Sequence, residues 1–147
     1  MAMDPRQAAA EADALASKRG MMMIGMGLLY LSQQFVYFGG DGRVSTVKAI
    51  LWGVLTIVML LILLTRGHLG SPREVRERLE DEFTRANRAK GLAAGFVAAM
   101  TAAIGCFYWA VGNELGARDA VHIIVSAGLA VALIRFGWLE HRANADE

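Results

Sequence analysis

Residues 44–65 read VSTVKAILWGVLTIVMLLILLT, and this stretch decides the fold class. From Ile57 to Leu64 every side chain is aliphatic except Met59. A helix that crosses the ~30 Å hydrocarbon core of a bilayer needs about 20 predominantly apolar residues. A surface helix of a soluble protein keeps a charged or polar face, and this stretch has none; its one charge, Lys48, stands near its start. It reads as a transmembrane helix.

Three further runs share that character: residues 21–38, 91–111 and 120–139. Overall the chain has 147 residues and is 55% hydrophobic, above the roughly 45–50% of an ordinary soluble domain. The excess is gathered in the four runs, with the charges between them. The expected fold is all-α: an integral membrane four-helix bundle in a single domain, residues 20–147, behind a short N-terminal segment, residues 1–19. That segment is Ala-rich and starts on Asp4-Pro5, a helix-start signal; a short helix or disorder is expected. A cleaved signal peptide fits poorly, because the first apolar run begins only at Met21, is long for such a segment and has no small-residue cleavage site after it.

Loop charge sets the expected orientation. Of the 15 Lys and Arg residues, only Arg43, Lys48 and Arg118 belong to the two short hairpins; the others belong to the N-terminal segment, the middle connection and the C-terminal end. Basic residues mark the cytoplasmic side, so both termini and the middle connection are expected in the cytoplasm, in a bacterial inner membrane. Tyr37, Tyr108, Trp109 and Trp138 stand at span ends, where amphipathic rings favour the headgroup level.

The middle connection carries its own helix signal. Ser71-Pro72-Arg73-Glu74 is a capping box with proline at the first helical position. From there opposite charges recur four residues apart, as in Arg73/Glu77, Glu74/Arg78 and Asp81/Arg85, each pair contributing about 0.2–0.5 kcal/mol. A cytoplasmic helix over residues 72–90 is expected, running into the third span with Gly91 as a point of bending. Its narrow apolar stripe, Val75, Leu79 and Phe83, is a candidate docking face for a partner or a second copy; packing on the N-terminal helix or the bundle end is the alternative.

Helices in lipid associate through small residues that let backbones approach. The third span sets Gly91, Gly95, Ala99 and Ala103 four apart, and the fourth does the same with Gly128 and Ala132. Packing within one bundle, or between copies, is expected along these faces.

Candidate chemistry is sparse. Span centres hold no Asp, Glu, Lys or Arg, so the membrane-embedded ionisable group usual in proton-coupled transport is absent there. Cys106 is the single cysteine, which excludes CxxC redox chemistry and an intramolecular disulfide. The best polar group is Glu114, Asp119, His122 and Ser126 at one end of spans three and four. Histidine there has the chemistry to titrate near neutral pH or to ligate a metal, whereas Asp119 also suits the first turn of a helix on structural grounds alone. Gln33 and Gln34 interrupt the first span and are expected to bond across the bundle, to Thr56 or Ser126, or to line a small polar cavity. No catalytic, cofactor or metal site is assigned, no cofactor is expected, and nothing points to nucleic acid. The expected partners are the lipid bilayer and another membrane protein or a second copy of the chain. Two functions fit: a non-enzymatic accessory, regulatory or scaffold component, or an oligomeric small transporter or channel. An enzyme acting on lipid ranks third.

Overall fold

The structure, a computed structural model, describes residues 20–34, 43–65 and 82–143. Four helices and no strand occur among them: α1 (20–34), α2 (Arg43–Thr65), α3 (Glu82–Gly112) and α4 (Ala117–Ala143). Three of these, α2, α3 and α4, are long and apolar enough to cross a membrane. The predicted span 21–38 is described only as far as residue 34, and residues 35–38 lie outside the described part. So do residues 1–19 and the predicted capping box, with Val75 and Leu79 of the apolar stripe.

The described part of the predicted cytoplasmic helix, residues 82–90, continues into the third span without a boundary. α3 runs unbroken for 31 residues, about 46 Å at 1.5 Å per residue, so it exceeds the hydrocarbon core by several turns. Phe83 belongs to this helix, within its first turn. Gly91 sits inside α3 as a point of contact: a Cβ there would stand 3.0 Å from Cβ of Phe136 and 3.1 Å from the Ala132 carbonyl oxygen.

That contact is one rung of a ladder between the antiparallel helices α3 and α4. A Cβ on Gly95 would lie 2.6 Å from the Gly128 carbonyl oxygen and 2.7 Å from Cβ of Ala132, and one on Gly128 would lie 2.9 Å from Cβ of Ala99. At the foot of the ladder Asn87 Nδ2 donates to Glu140 Oε1 at 3.3 Å. Positions 87, 91, 95 and 99 thus face 140, 136, 132 and 128, each series four apart, as one stripe of a helix requires. The small-residue face read from the sequence is an interface inside this chain.

A second ladder holds α1 on another side of α4. A Cβ on Gly20 would meet the Gly137 carbonyl oxygen and the His141 backbone nitrogen, both at 2.9 Å; one on Gly27 would meet Cγ1 of Ile134 at 2.7 Å; and one on Gly137 would meet the Gly20 carbonyl oxygen at 2.6 Å. Between these two faces lies a third, which receives α2. Leu129, Leu133 and Phe136 of α4 are buried there with Met59 and Leu63 of α2 and Met23 and Tyr30 of α1. Three helices therefore pack against α4. Half of its span window is buried, against 11% for α2 and 17% for α3, which makes α4 the axis of the assembly.

The helix ends are closed by identifiable groups. Arg88 of α3 donates from Nη1 to the Leu64 carbonyl at 2.8 Å, satisfying one of the last-turn carbonyls of α2 that have no intrahelical partner. Residues 113–116 join α3 to α4, and the backbone amides of Asp119 and Ala120 both donate to the Gly116 carbonyl at 3.0 Å. Asp119 in the first turn of α4 and His141 with Arg142 in the last complement the helix dipole at its two ends.

The outward surfaces agree with a lipid environment. Ile50, Leu51, Ile57, Phe96, Phe107 and Val111 are each more than half exposed. A soluble monomer rarely shows contiguous apolar surface of this extent, whereas in lipid it carries no penalty.

The ladder makes a sharp contrast between glycines. Gly95→Leu is expected to destabilise the fold by at least about 1–3 kcal/mol, the usual cost of overpacking. Gly105→Ala, where nothing lies within 4 Å of the new Cβ, is expected to be neutral or to stabilise by up to ~1 kcal/mol through helix propensity. Detergent-titration unfolding followed by far-UV circular dichroism compares the two.

Candidate functional site

Polar side chains in the interior gather where α2 crosses α1 and α4. Trp52 and Thr56 stand one turn apart on α2. Trp52 Nε1 donates to Ser126 Oγ of α4 at 3.1 Å, and the Trp52 ring lies against the His122 ring with centroids 4.6 Å apart at 44°. Thr56 Oγ1 shares a hydrogen bond of 2.6 Å with the Tyr30 hydroxyl of α1. His122 and Ser126 are four residues apart, hence on one face of α4, and both are buried, at 1% and 2% exposure. Tyr30 is equally buried. The result is a line of five polar-tipped side chains that joins three helices near mid-span.

The local sequence explains the line. With no competing water, a hydroxyl or indole N–H inside the membrane is satisfied by another helix or by its own backbone. Ser32, Thr65 and Thr101 take the second course, each donating its hydroxyl to the carbonyl three or four residues back. Tyr30 and Trp52 have side chains too long to turn back in that way, and they reach across instead.

The glutamines behave differently from the expectation. Gln34 Nε2 donates to the Tyr30 carbonyl of its own helix at 3.2 Å, and Gln33 is exposed. The partners expected for them, Thr56 and Ser126, are engaged by Tyr30 and Trp52. The physical reason is face: Tyr30 lies on the inward stripe of α1 with Met23 and Gly27, and Gln33 does not.

The members of the group Glu114, Asp119, His122 and Ser126 differ in burial. Glu114 is exposed in the 113–116 connection, and Asp119 is half-buried in the first turn of α4, where its Oδ2 lies 3.3 Å from the place a Cβ on Gly116 would take. His122 and Ser126 face α2. Among the described residues no three or more His, Cys, Asp or Glu side chains are placed to hold a metal ion together. His122 and Ser126 thus form a packing and hydrogen-bonding site with Trp52, and Asp119, three residues before His122, is close enough to act on it electrostatically.

Two grooves flank this region. One, about 360 Å³, runs between α2 and α4 and is lined by Ala49, Trp52, Ala117, Arg118 and Val121. Trp52 therefore touches His122 with its ring and also forms part of the groove wall. The other, about 480 Å³ and almost wholly apolar, lies between α3 and α4 against Gly105, Cys106, Trp109 and Ile123.

Sequence reasoning overlooked one buried ionisable group, Glu140, 4% exposed and bonded to Asn87. The signal was present: Glu140 continues the series 128, 132, 136 by one more step, and Asn87 continues 99, 95, 91. Glu140 lies one residue past the predicted span 120–139, outside the span centres where an ionisable group is costly.

Compared with protein-family models, with curated proteins and with solved structures, the chain finds no match in any of the three.

The line at mid-span predicts measurable coupling. A double-mutant cycle of Trp52→Phe with Ser126→Ala, and another of Tyr30→Phe with Thr56→Val, should each return about 0.6 kcal/mol, with ~1.7 kcal/mol as the upper end for interhelical bonds in membranes. The control Gln34→Leu paired with Thr56→Val should show no coupling. Unfolding in detergent followed by circular dichroism gives all the values.

Proposed function

We propose that this chain is a small non-enzymatic membrane protein that acts as an accessory, regulatory or scaffold component, through contacts made by its outer helix faces and its membrane-adjacent helix. The observation that carries the reading is the filled interior. Tyr30, Phe136, Met23, Leu63, Leu133 and His122 are all under 2% exposed, and they occupy the space between the helices along its length. Among the described residues such a core leaves no wide path for a solute through a single copy, which supports a reading in which the work is done at the surface. α3 supplies such a surface: Phe96, Phe107 and Val111 face away from α4, and the helix continues beyond the hydrocarbon core as a polar segment with Arg85, Arg88 and Lys90.

The distribution of basic residues supports an orientation with both termini and the 66–90 connection in the cytoplasm, in a bacterial inner membrane. In that arrangement the polar end of α3, with Arg85 and Lys90 exposed, is available to a cytoplasmic or membrane-bound partner.

The groove at Trp52 and Arg118 favours a second reading, an oligomeric small transporter or channel whose path lies between copies. The mass of the intact protein in lipid nanodiscs, alone and after gentle pull-down from its own membranes, separates the two. A stoichiometric second component is the expected result. A defined homo-oligomer with no other component transfers the weight to the transport reading, to be followed by flux measurements on Arg118→Gln and His122→Gln. A monomer that recovers no partner overturns both.

A further inference from the structure

α2 is held differently from the other helices that pack on α4. α1 and α3 approach α4 backbone to backbone, through Gly20, Gly27 and Gly137 on one side and Gly91, Gly95 and Gly128 on the other. α2 has a single glycine, Gly53, and nothing lies within 4 Å of the place its Cβ would take. Its contacts are made by side chains, and they are spread unevenly along it. Met59 and Leu63 are buried in the half nearer Thr65, and Arg88 of α3 holds the Leu64 carbonyl at 2.8 Å. From Thr46 to Val58 no residue is buried. The groove of about 360 Å³ opens along this part of α2, between Ala49 and Trp52 on one wall and Ala117, Arg118 and Val121 of α4 on the other. Lys48 and Arg118 have interactions of their own at this end, but charged groups near a span end are within reach of water, where such interactions contribute little.

Two hydrogen bonds stand between the packed end and the open end. Tyr30 bonds Thr56, and Trp52, one turn nearer Arg43, bonds Ser126. The Trp52 ring also lies against the His122 ring, with centroids 4.6 Å apart, and His122 and Ser126 are almost fully buried. The indole therefore stands between the groove and these two side chains. We propose that α2 is a hinged helix: its Thr65 end is the pivot, its Arg43 end swings away from α4, and the Trp52–Ser126 hydrogen bond is the latch that closes it over His122. In lipid an apolar side chain gains little by facing a helix rather than an acyl chain, so close packing and interhelical hydrogen bonds decide what stays together. The pivot end has both. The other end has the latch. When the latch opens, Trp52 leaves with its helix, the groove widens, and His122 and Ser126 face it.

The hinge is internal to one copy and is independent of the accessory role proposed above. The test uses the full chain carrying Cys106→Ser in lipid nanodiscs, with paired spin labels read by double electron–electron resonance. One pair, at Val47 and Val111, spans the open ends of α2 and α3. The other, at Leu61 and Ala89, spans the pivot end. All four positions are exposed, and α3 is a fixed reference because its glycine ladder locks it to α4. Two distances are expected for the first pair and one for the second. Trp52→Phe keeps a ring and removes the N–H; it should raise the ratio of the longer to the shorter distance about threefold, the equilibrium effect of one interhelical hydrogen bond in a membrane. Ser126→Ala should do the same. The two together should again give about threefold rather than about ninefold, since they remove one bond between them. Thr101→Val, whose hydroxyl bonds back to its own helix, should leave the ratio unchanged. Either latch substitution suffices, provided its circular dichroism matches that of the parent. A single distance at both pairs that neither substitution alters overturns the proposal. So does a second distance of equal weight at both pairs, which means that α2 leaves as a whole and does not pivot.

Discussion

The structure depends on the backbone-to-backbone approach of α4 to its neighbours. In a bilayer the hydrophobic effect gives no preference for helix against helix over helix against lipid, so association rests on close packing and interhelical hydrogen bonds. The two ladders on α4 supply the packing. On one side Gly91, Gly95 and Ala99 meet Phe136, Ala132 and Gly128; on the other, Gly20 and Gly27 meet Gly137 and Ile134. Glycine is needed at Gly95 and Gly137 because the opposing atoms are backbone carbonyl oxygens at 2.6 Å from where a Cβ would be, and a backbone cannot step aside as a side chain can. Once α4 is held on two sides, the third face fixes where α2 must lie, and the Tyr30, Trp52 and Ser126 bonds follow from that position.

The helices and the main interface were legible in the sequence for a simple reason: both are recorded as periodicity. Apolar runs of about 20 residues mark spans, and small residues four apart mark a face. The series 91, 95, 99 and 128, 132 is the α3–α4 contact. The predicted cytoplasmic helix runs into the third span at Gly91, which reads as a point of bending because glycine usually weakens a helix. In the structure its missing side chain serves the packing with Phe136, and the helix continues through it. A glycine inside a small-residue series carries a different meaning from a glycine alone, and the series 91, 95, 99 is what distinguishes them.

The polar contacts were less legible, because composition gives the donors and acceptors but not their direction. Thr56 and Ser126 read from the sequence as partners for Gln33 and Gln34, but the residues that bond them are Tyr30 and Trp52. Counting by turns from Met23 would have placed Tyr30 on the inward stripe, since the two are seven residues apart. Trp52 was harder to find. Tryptophan is expected at span ends, and this one stands well inside α2, its indole N–H bonded to Ser126 and its ring against His122. Asp119, His122 and Ser126 group in the sequence by steps of three and four, which a helix turning about 100° per residue sets on one side; in the structure His122 packs on Trp52, Asp119 in the first turn of α4 still acts on it electrostatically, and Glu114, in the connection before the helix, is exposed.

The same rotation orders the charged residues at the other end of α4. Glu140 and Arg142 are two residues apart and therefore point about 200° apart. Glu140 is buried against Asn87 as the last rung of the α3 ladder, and Arg142 is exposed beside Trp138 with Arg135. An ion pair between such neighbours, which their opposite signs invite on paper, is opposed by helix geometry. The helix thus sends its carboxylate inward, where an amide receives it, and its guanidinium groups outward, toward the bilayer. Separated in this way, the Glu140 carboxylate contributes to holding α3 against α4, and the Arg135 and Arg142 guanidinium groups gather at the Trp138 ring on the other side of the helix.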